Sequence, residues 1–233
     1  MMTSLFSLPV GDEMLAGDIF GAPDSMQALF LHGAGQSHRQ RQRPLREDLA
    51  QYGFGSAAFD FSGHGDSSSN APSSLEKRLH QAQQVLQHVD SGKHIHTLVG
   101  TSMSGEIAIR LACATGERIR HVVSIVGAIY DRSAFTLPFG PAFTAAIRRP
   151  HSWHAAEVLE QIADYRGALT LIRALDDSII PHEIADMLAQ AARAARRVKI
   201  IDLAAVDHRV SETMAHDLAL RQRIAAAIME NIN

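Results

Sequence analysis

The chain has 233 residues, 46% hydrophobic and 20% charged, with a formal net charge of −3; it is long enough to bury one substantial core. A charge so near zero gives no electrostatic case for nucleic acid as a partner, and no run reaches the roughly 18 apolar residues of a membrane-spanning helix. The first residues have neither a basic region nor a sustained apolar stretch, and the single cysteine, Cys113, excludes an internal disulfide, so the expectation is a cytoplasmic protein without a membrane partner.

In chain order, residues 4–9 and 14–20 flank Val10-Gly11-Asp12-Glu13 and predict a hairpin. Near-continuous apolar strands follow at 27–31, 56–61, 97–99, 121–126, 168–172 and 198–203; such strands belong to a sheet covered on both faces. Helical spacing is expected at 38–52, 75–90, 104–116, 183–196 and 212–231, the last with Met214, Leu218, Ile224 and Ile228. Strand and helix in alternation predict a doubly wound, mostly parallel α/β sheet with helices on both faces. Cys113, in an apolar helical run, reads as a buried thiol.

The interval 129–165 breaks this rhythm. It contains Pro138, Gly140, Pro141 and Pro150, and a connection of this length inside a compact domain is usually functional. It is expected to form a small lid-like insertion within a single domain spanning 1–233. Its Phe135, Phe139, Phe143 and Trp153 are candidates for the apolar wall of a substrate pocket. The alternative is that they fill core beneath a surface helix.

Chemistry concentrates at strand ends. In Leu98-Val99-Gly100-Thr101-Ser102-Met103-Ser104-Gly105 an apolar run stops at a glycine and small residues lead into a helix. That pattern holds a serine on a sharp strand-to-helix turn; Ser104 stands where G-x-S-x-G has its last glycine. A serine hydroxyl needs a base, and the base needs a third group to orient it. Asp176-Asp177 follows the strand near 168–172 and Asp207-His208 follows the strand near 198–203. Upstream, Leu31-His32-Gly33-Ala34-Gly35 lacks bulky side chains and can aim a backbone N–H at an oxyanion, with the N–H of Met103 as second donor.

Taken together, His32-Gly33-Ala34-Gly35, Asp60-Phe61-Ser62-Gly63-His64-Gly65-Asp66-Ser67, Gly100 to Ser104, Asp177 to Pro181 and Asp207-His208 resemble the α/β-hydrolase superfamily over nearly the whole chain. The resemblance implies the α/β-hydrolase fold, with Ser102 as nucleophile, His208 as base and Asp177 as the acid, because the family acid lies four residues before the proline. It also implies an oxyanion hole from the N–H groups of Ala34 and Met103. The expected activity is hydrolysis of a carboxylic ester or thioester of a small or medium acyl group through an acyl-enzyme, with a small molecule as partner and no metal or cofactor. An acyltransferase, an amidase or a carbon–carbon hydrolase would use the same triad. A non-catalytic binding protein on this scaffold would usually lack one of the three residues.

His64 reads as a turn residue, and His94 and His96 as surface histidines without a third metal ligand. Arg39, Arg41, Arg43 and Arg46 read as a solvated helix face; the alternative is an anion site, to which Arg148 and Arg149 would add.

Overall fold

A computed structural model of the chain describes residues 3–22, 25–90, 92 and 94–230. Thr3–Val10 (β1) and Glu13–Phe20 (β2) form the expected antiparallel hairpin, turned by Gly11 at φ +62. The remaining strands are Met26–Leu31 (β3), Gly55–Phe59 (β4), Thr97–Thr101 (β5), His121–Ile125 (β6), Ala168–Ala174 (β7) and Arg197–Leu203 (β8). They make one eight-stranded sheet in the order β1-β2-β4-β3-β5-β6-β7-β8. Every pairing from β4 to β8 is parallel; β2 joins β4 antiparallel.

Side chains alternate across this sheet as a period of two requires. Leu29, Leu31, Ala57, Leu98 and Leu169 enter one core cluster, and Ala28, Phe30, Ala58, Val99 and Ile172 enter the other. Leu75–Val89 (α2), Ser104–Thr115 (α3), Pro141–Ile147 (α4), Val158–Gln161 (α5) and Glu183–Ala191 (α6) contribute to the first cluster. Arg43–Gln51 (α1), Val210–His216 (α7) and Leu218–Met229 (α8) cover the second. The sheet is therefore doubly wound.

Two predicted helices are shortened. The expected helix over 212–231 is broken at Asp217, whose carboxylate accepts the Leu220 N–H at 2.9 Å and caps α8; position 231 lies outside the described residues. Apolar periodicity runs on through this break, which is why spacing alone joined the two pieces. The helix expected over 183–196 stops at Ala191 because the chain must turn to enter β8.

The interval 129–165 holds short 3₁₀ turns together with α4 and α5. It is fastened to the start of α2: Glu76 N–H donates to the Phe135 carbonyl at 3.0 Å, and Phe139 N–H to the Ser73 carbonyl at 2.7 Å.

At the amino ends of the parallel strands, His96 and His121 are buried. Burial, reinforced at His96 by Arg120, lowers both to about 4. The unfolded chain then binds more protons than the native one between the ordinary histidine value and about 4, so stability is lost as pH falls through that window. His121, which is fully buried, contributes on the order of 3 kcal/mol of this loss at its lower end. Urea midpoints are expected to hold steady above pH ~6.5 and fall below it, with a shallower fall in His121→Gln; a midpoint level down to pH ~5 contradicts this assignment.

Candidate active site

The strand order reverses direction between β3 and β5. The connection from β3 leads outward to β4, whereas β5 leads to β6 on the other side. Loops after two such strands diverge and leave a crevice at their carboxyl ends. Here the loop after β3 begins at His32, and the residue after β5 is Ser102.

Ser102 has φ +52, a left-handed conformation that costs a non-glycine residue of order 1–3 kcal/mol. Surrounding hydrogen bonds enforce it. Ser102 N–H donates to the Ile125 carbonyl at 2.9 Å, and the Ser102 carbonyl accepts from Gly105 N–H at 2.9 Å and Ala128 N–H at 3.0 Å. A Cβ on Gly100 would lie 2.1 Å from the Ser104 carbonyl oxygen, and one on Gly105 2.7 Å from the Gly127 Cα. Gly105 thus supplies the close approach that the departure from G-x-S-x-G put in question. Ser104, fully buried, uses its hydroxyl to donate to the His32 carbonyl at 2.5 Å. The departure gains a tether between the turn and the loop after β3.

The three strand-end residues meet. Ser102 Oγ lies 3.0 Å from His208 Nε2, and His208 Nδ1 lies 2.8 Å from Asp177 Oδ2. A carboxylate only accepts, so Nδ1 carries the proton and Nε2 is free to accept from the serine. The other Asp177 oxygen accepts the N–H groups of Ile179 at 2.8 Å and Ile180 at 3.0 Å. Its side chain is 2% exposed, against 23% for His208. Asp176 is exposed, and the Asp207 carboxylate is occupied by Arg209 at 2.8 Å. Neither neighbour reaches the imidazole.

The loop after β3 is held from behind. His32 is fully buried; its Nε2 accepts the Phe61 N–H at 3.0 Å, so its Nδ1–H donates to the Gly33 carbonyl at 2.8 Å. Burial and then Arg78 keep this imidazole neutral by pushing its pKa well below the ordinary value. Arg78 on α2 donates to the same carbonyl at 3.1 Å and to His64 Nε2 at 2.6 Å. His64 Nδ1 in turn meets the Ser37 carbonyl at 3.1 Å. A trans peptide sets C=O and N–H on opposite sides, so pinning the Gly33 carbonyl turns the Ala34 N–H the other way. Met103 is the N-cap of α3, and its N–H is among the donors a helix start leaves without an intrahelical partner.

Arg78 is a site residue that sequence reasoning missed. It is 1% exposed, and among the described residues no carboxylate pairs with it. Burial lowers its pKa to about 10, and its guanidinium lies over the rings of Phe61 at 4.6 Å and Phe139 at 5.5 Å. Nothing in Leu75-Glu76-Lys77-Arg78 distinguishes it from an ordinary surface charge.

The cleft at Ser102 and His208 has a volume of about 260 Å³, and Gly33, Ala34, Gln36, Ser37, Arg41 and Ser211 are among its lining residues. None of Phe135, Phe139, Phe143 or Trp153 lines it, which corrects the expected aromatic wall. Their rings are taken up elsewhere: Phe135 lies under Arg110 at 4.0 Å, Phe143 is buried against Tyr130 and Phe139, and the Trp153 indole donates to Glu183 at 2.6 Å. A larger cavity, about 370 Å³, includes Arg120, Gly167 and Arg196, the residues just before β6, β7 and β8. It lies at the amino ends of these strands, the opposite end from the triad.

The reading of the arginine cluster as a solvated face is corrected at two of its four positions, Arg39 and Arg46, whereas Arg43 is exposed. Arg39 is 5% exposed and Arg46 fully buried. Arg39 holds Asp18 at 2.9 Å, Asp66 at 2.7 Å and Asp60, and Arg46 holds Asp18. Their charge is balanced internally instead of facing solvent or an anion. This also gives physical content to the segment 60–67. A Cβ on Gly65 would lie 2.0 Å from the Asp60 carboxylate, and Ser67 ties Asp60 to β2 through the Asp60 carbonyl and the Ala16 N–H.

A family model described as the alpha/beta hydrolase family matches residues 28–227. No curated protein sequence matches the chain. Among solved structures, a thioesterase domain from the curacin biosynthetic pathway is similar at 18% identity and a TM-score of 0.73, covering 98% of this chain and 100% of that one. A monoacylglycerol lipase of Paleococcus ferrophilus is similar at 21% identity and 0.70, covering 93% and 97%. Est1E from Butyrivibrio proteoclasticus, solved with ferulic acid bound, is similar at 15% identity and 0.74, covering 97% and 99%. At these identities the likeness is one of fold.

Proposed function

The chain belongs to the alpha/beta hydrolase family, and from that premise we propose that it is a serine hydrolase of carboxylic esters or thioesters with small or medium acyl groups. The unbroken run from Ser102 Oγ to His208 at 3.0 Å and on to Asp177 at 2.8 Å carries this reading.

His208 Nε2 takes the Ser102 proton as the serine oxygen attacks the acyl carbon. Asp177, already accepting two backbone N–H groups, stabilises the imidazolium that forms. The N–H groups of Ala34 and Met103 receive the developing oxyanion, the first aimed by the Arg78 and His32 grip on the Gly33 carbonyl. The imidazolium then protonates the leaving alcohol or thiol. Water then attacks the acyl carbon as His208 removes its proton, and the imidazolium returns that proton to Ser102 Oγ as the acyl–Oγ bond breaks and the acid leaves. The polar cleft mouth at Gln36, Ser37 and Ser211 suits water as the acceptor.

Acyl size follows from volume. A cleft of about 260 Å³ sits below the usual range for drug-sized ligands. Phe139 acts on this site through Arg78, not as pocket wall. The test is kcat/KM across acetyl, butyryl, octanoyl and palmitoyl p-nitrophenyl esters and the matching acyl-CoA thioesters. The expected optimum is at butyryl or shorter, with Phe139→Ala lowering kcat across the series without moving the optimum. A palmitoyl optimum contradicts the size argument, and no turnover with any member contradicts the ester or thioester reading.

A further inference from the structure

Away from the cleft, the interval 129–165 and the first residue of α6 bring three metal-ligating side chains together. His151 precedes the 3₁₀ turn Ser152–Ala155 and His154 lies within it. Three residues per turn make side chains at i and i+3 eclipse, and the His154 N–H closes the turn on the His151 carbonyl at 3.0 Å. The two imidazoles therefore stand side by side, ring centroids 5.2 Å apart. Glu183 reaches them from α6: its Oε1 is 3.3 Å from His154 Nε2 and 3.7 Å from His151 Nδ1.

All three donor atoms lie within 4.8 Å of one another. Tetrahedral bonds of about 2.0–2.1 Å to an ion place neighbouring ligand atoms about 3.3–3.5 Å apart. The His154–Glu183 separation has this value and the His151–Glu183 separation is close to it; rotation of the exposed imidazoles closes the third. The Trp153 indole N–H donates to Glu183 Oε1 at 2.6 Å, orienting the carboxylate as outer-shell donors do around ligating groups. Two imidazoles and one carboxylate suit zinc-class ions over calcium or magnesium, which prefer all-oxygen sites. All three residues are exposed, so water can complete the coordination.

We propose that His151, His154 and Glu183 bind a divalent transition-metal ion of the zinc class, at a site separate from the hydrolytic triad. The ion ties the interval 129–165 to α6, the helix that follows the loop bearing Asp177. None of the three ligands takes part in hydrolysis, so the ion is a brace and not a reactant.

Trp153 is the only tryptophan in the chain, and its ring lies 5.5 Å from that of His151 and 6.0 Å from that of His154. Tryptophan emission therefore comes from beside this site, and the ligand variants decide whether the quenching ion sits on it. Chelator-treated full-length protein is titrated with Ni²⁺, an open-shell quencher, and Zn²⁺ is used as a silent competitor. The expected result is saturable one-site quenching, reversed by EDTA, displaced by Zn²⁺ and unaffected by Mg²⁺. His154→Ala and Glu183→Gln should weaken it by about tenfold or more, with unchanged circular dichroism and basal ester hydrolysis. Because Glu183→Gln also alters the indole's partner, His151→Ala serves as a third variant. Absence of saturable quenching overturns the proposal, as does quenching of equal strength in the variants, which would place the ion on other histidines.

Discussion

Ser102→Ala is expected to lower kcat by on the order of 10⁶ while leaving the fold intact, the scale seen when a serine nucleophile is removed from a triad in which it acts as one unit with its base. The side chain does little for stability. Its hydroxyl meets His208 at 3.0 Å, and the backbone bonds that enforce φ +52 at Ser102 do not involve it. Alanine accepts that dihedral no better than serine, so the melting temperature should barely move. Glycine adopts it freely, and Ser102→Gly should stabilise the fold by about 1–2 kcal/mol while being equally inactive. The pair separates strain from chemistry. Near-normal ester hydrolysis in either variant would place the nucleophile elsewhere.

Asp177→Asn should cost on the order of 10⁴ in kcat, with Asp176→Asn remaining within a few-fold of the parent. The side-chain amide oxygen of that variant can still accept from Ile179 and Ile180, as the carboxylate does, so the loop stays in place. What is lost is the carboxylate at 2.8 Å that keeps the proton on His208 Nδ1. An amide there can donate to Nδ1, which favours the tautomer whose Nε2 cannot accept from serine. Asp176 faces solvent and offers no such contact. Equal losses in the two variants, or reversed ones, would move the role to Asp176. Measuring kcat at saturating substrate keeps binding effects out of the comparison.

The sheet was legible because its strands are nearly all apolar and its helices carry a clear stripe. The strand-end positions of Ser102, Asp177 and His208 were legible for a related reason: in an open α/β sheet, chain order and strand ends constrain where side chains can converge. Residues whose meaning depends on a distant partner were not legible. Arg39 and Arg46 read as solvated because nothing local reveals that Asp18 on β2 and Asp60 just after β4 meet them. Arg78 lies in a charged stretch of an amphipathic helix, and only its packing against the loop after β3 gives it a task. Phe135 and Phe143 look the same in sequence whether they wall a pocket or fill a core. Asp217 caps α8 with its side chain, but apolar spacing continues across it, so spacing alone predicts one helix where the chain forms two.

Every step proposed for this protein requires Ser102 to be an activated nucleophile. A fluorophosphonate probe followed by intact mass and peptide mapping tests it without knowledge of the substrate. One covalent adduct per chain is expected, located on Ser102, abolished in Ser102→Ala and formed far more slowly in His208→Ala. An adduct on another residue, or ester turnover that persists while Ser102 stays unlabelled, would contradict it.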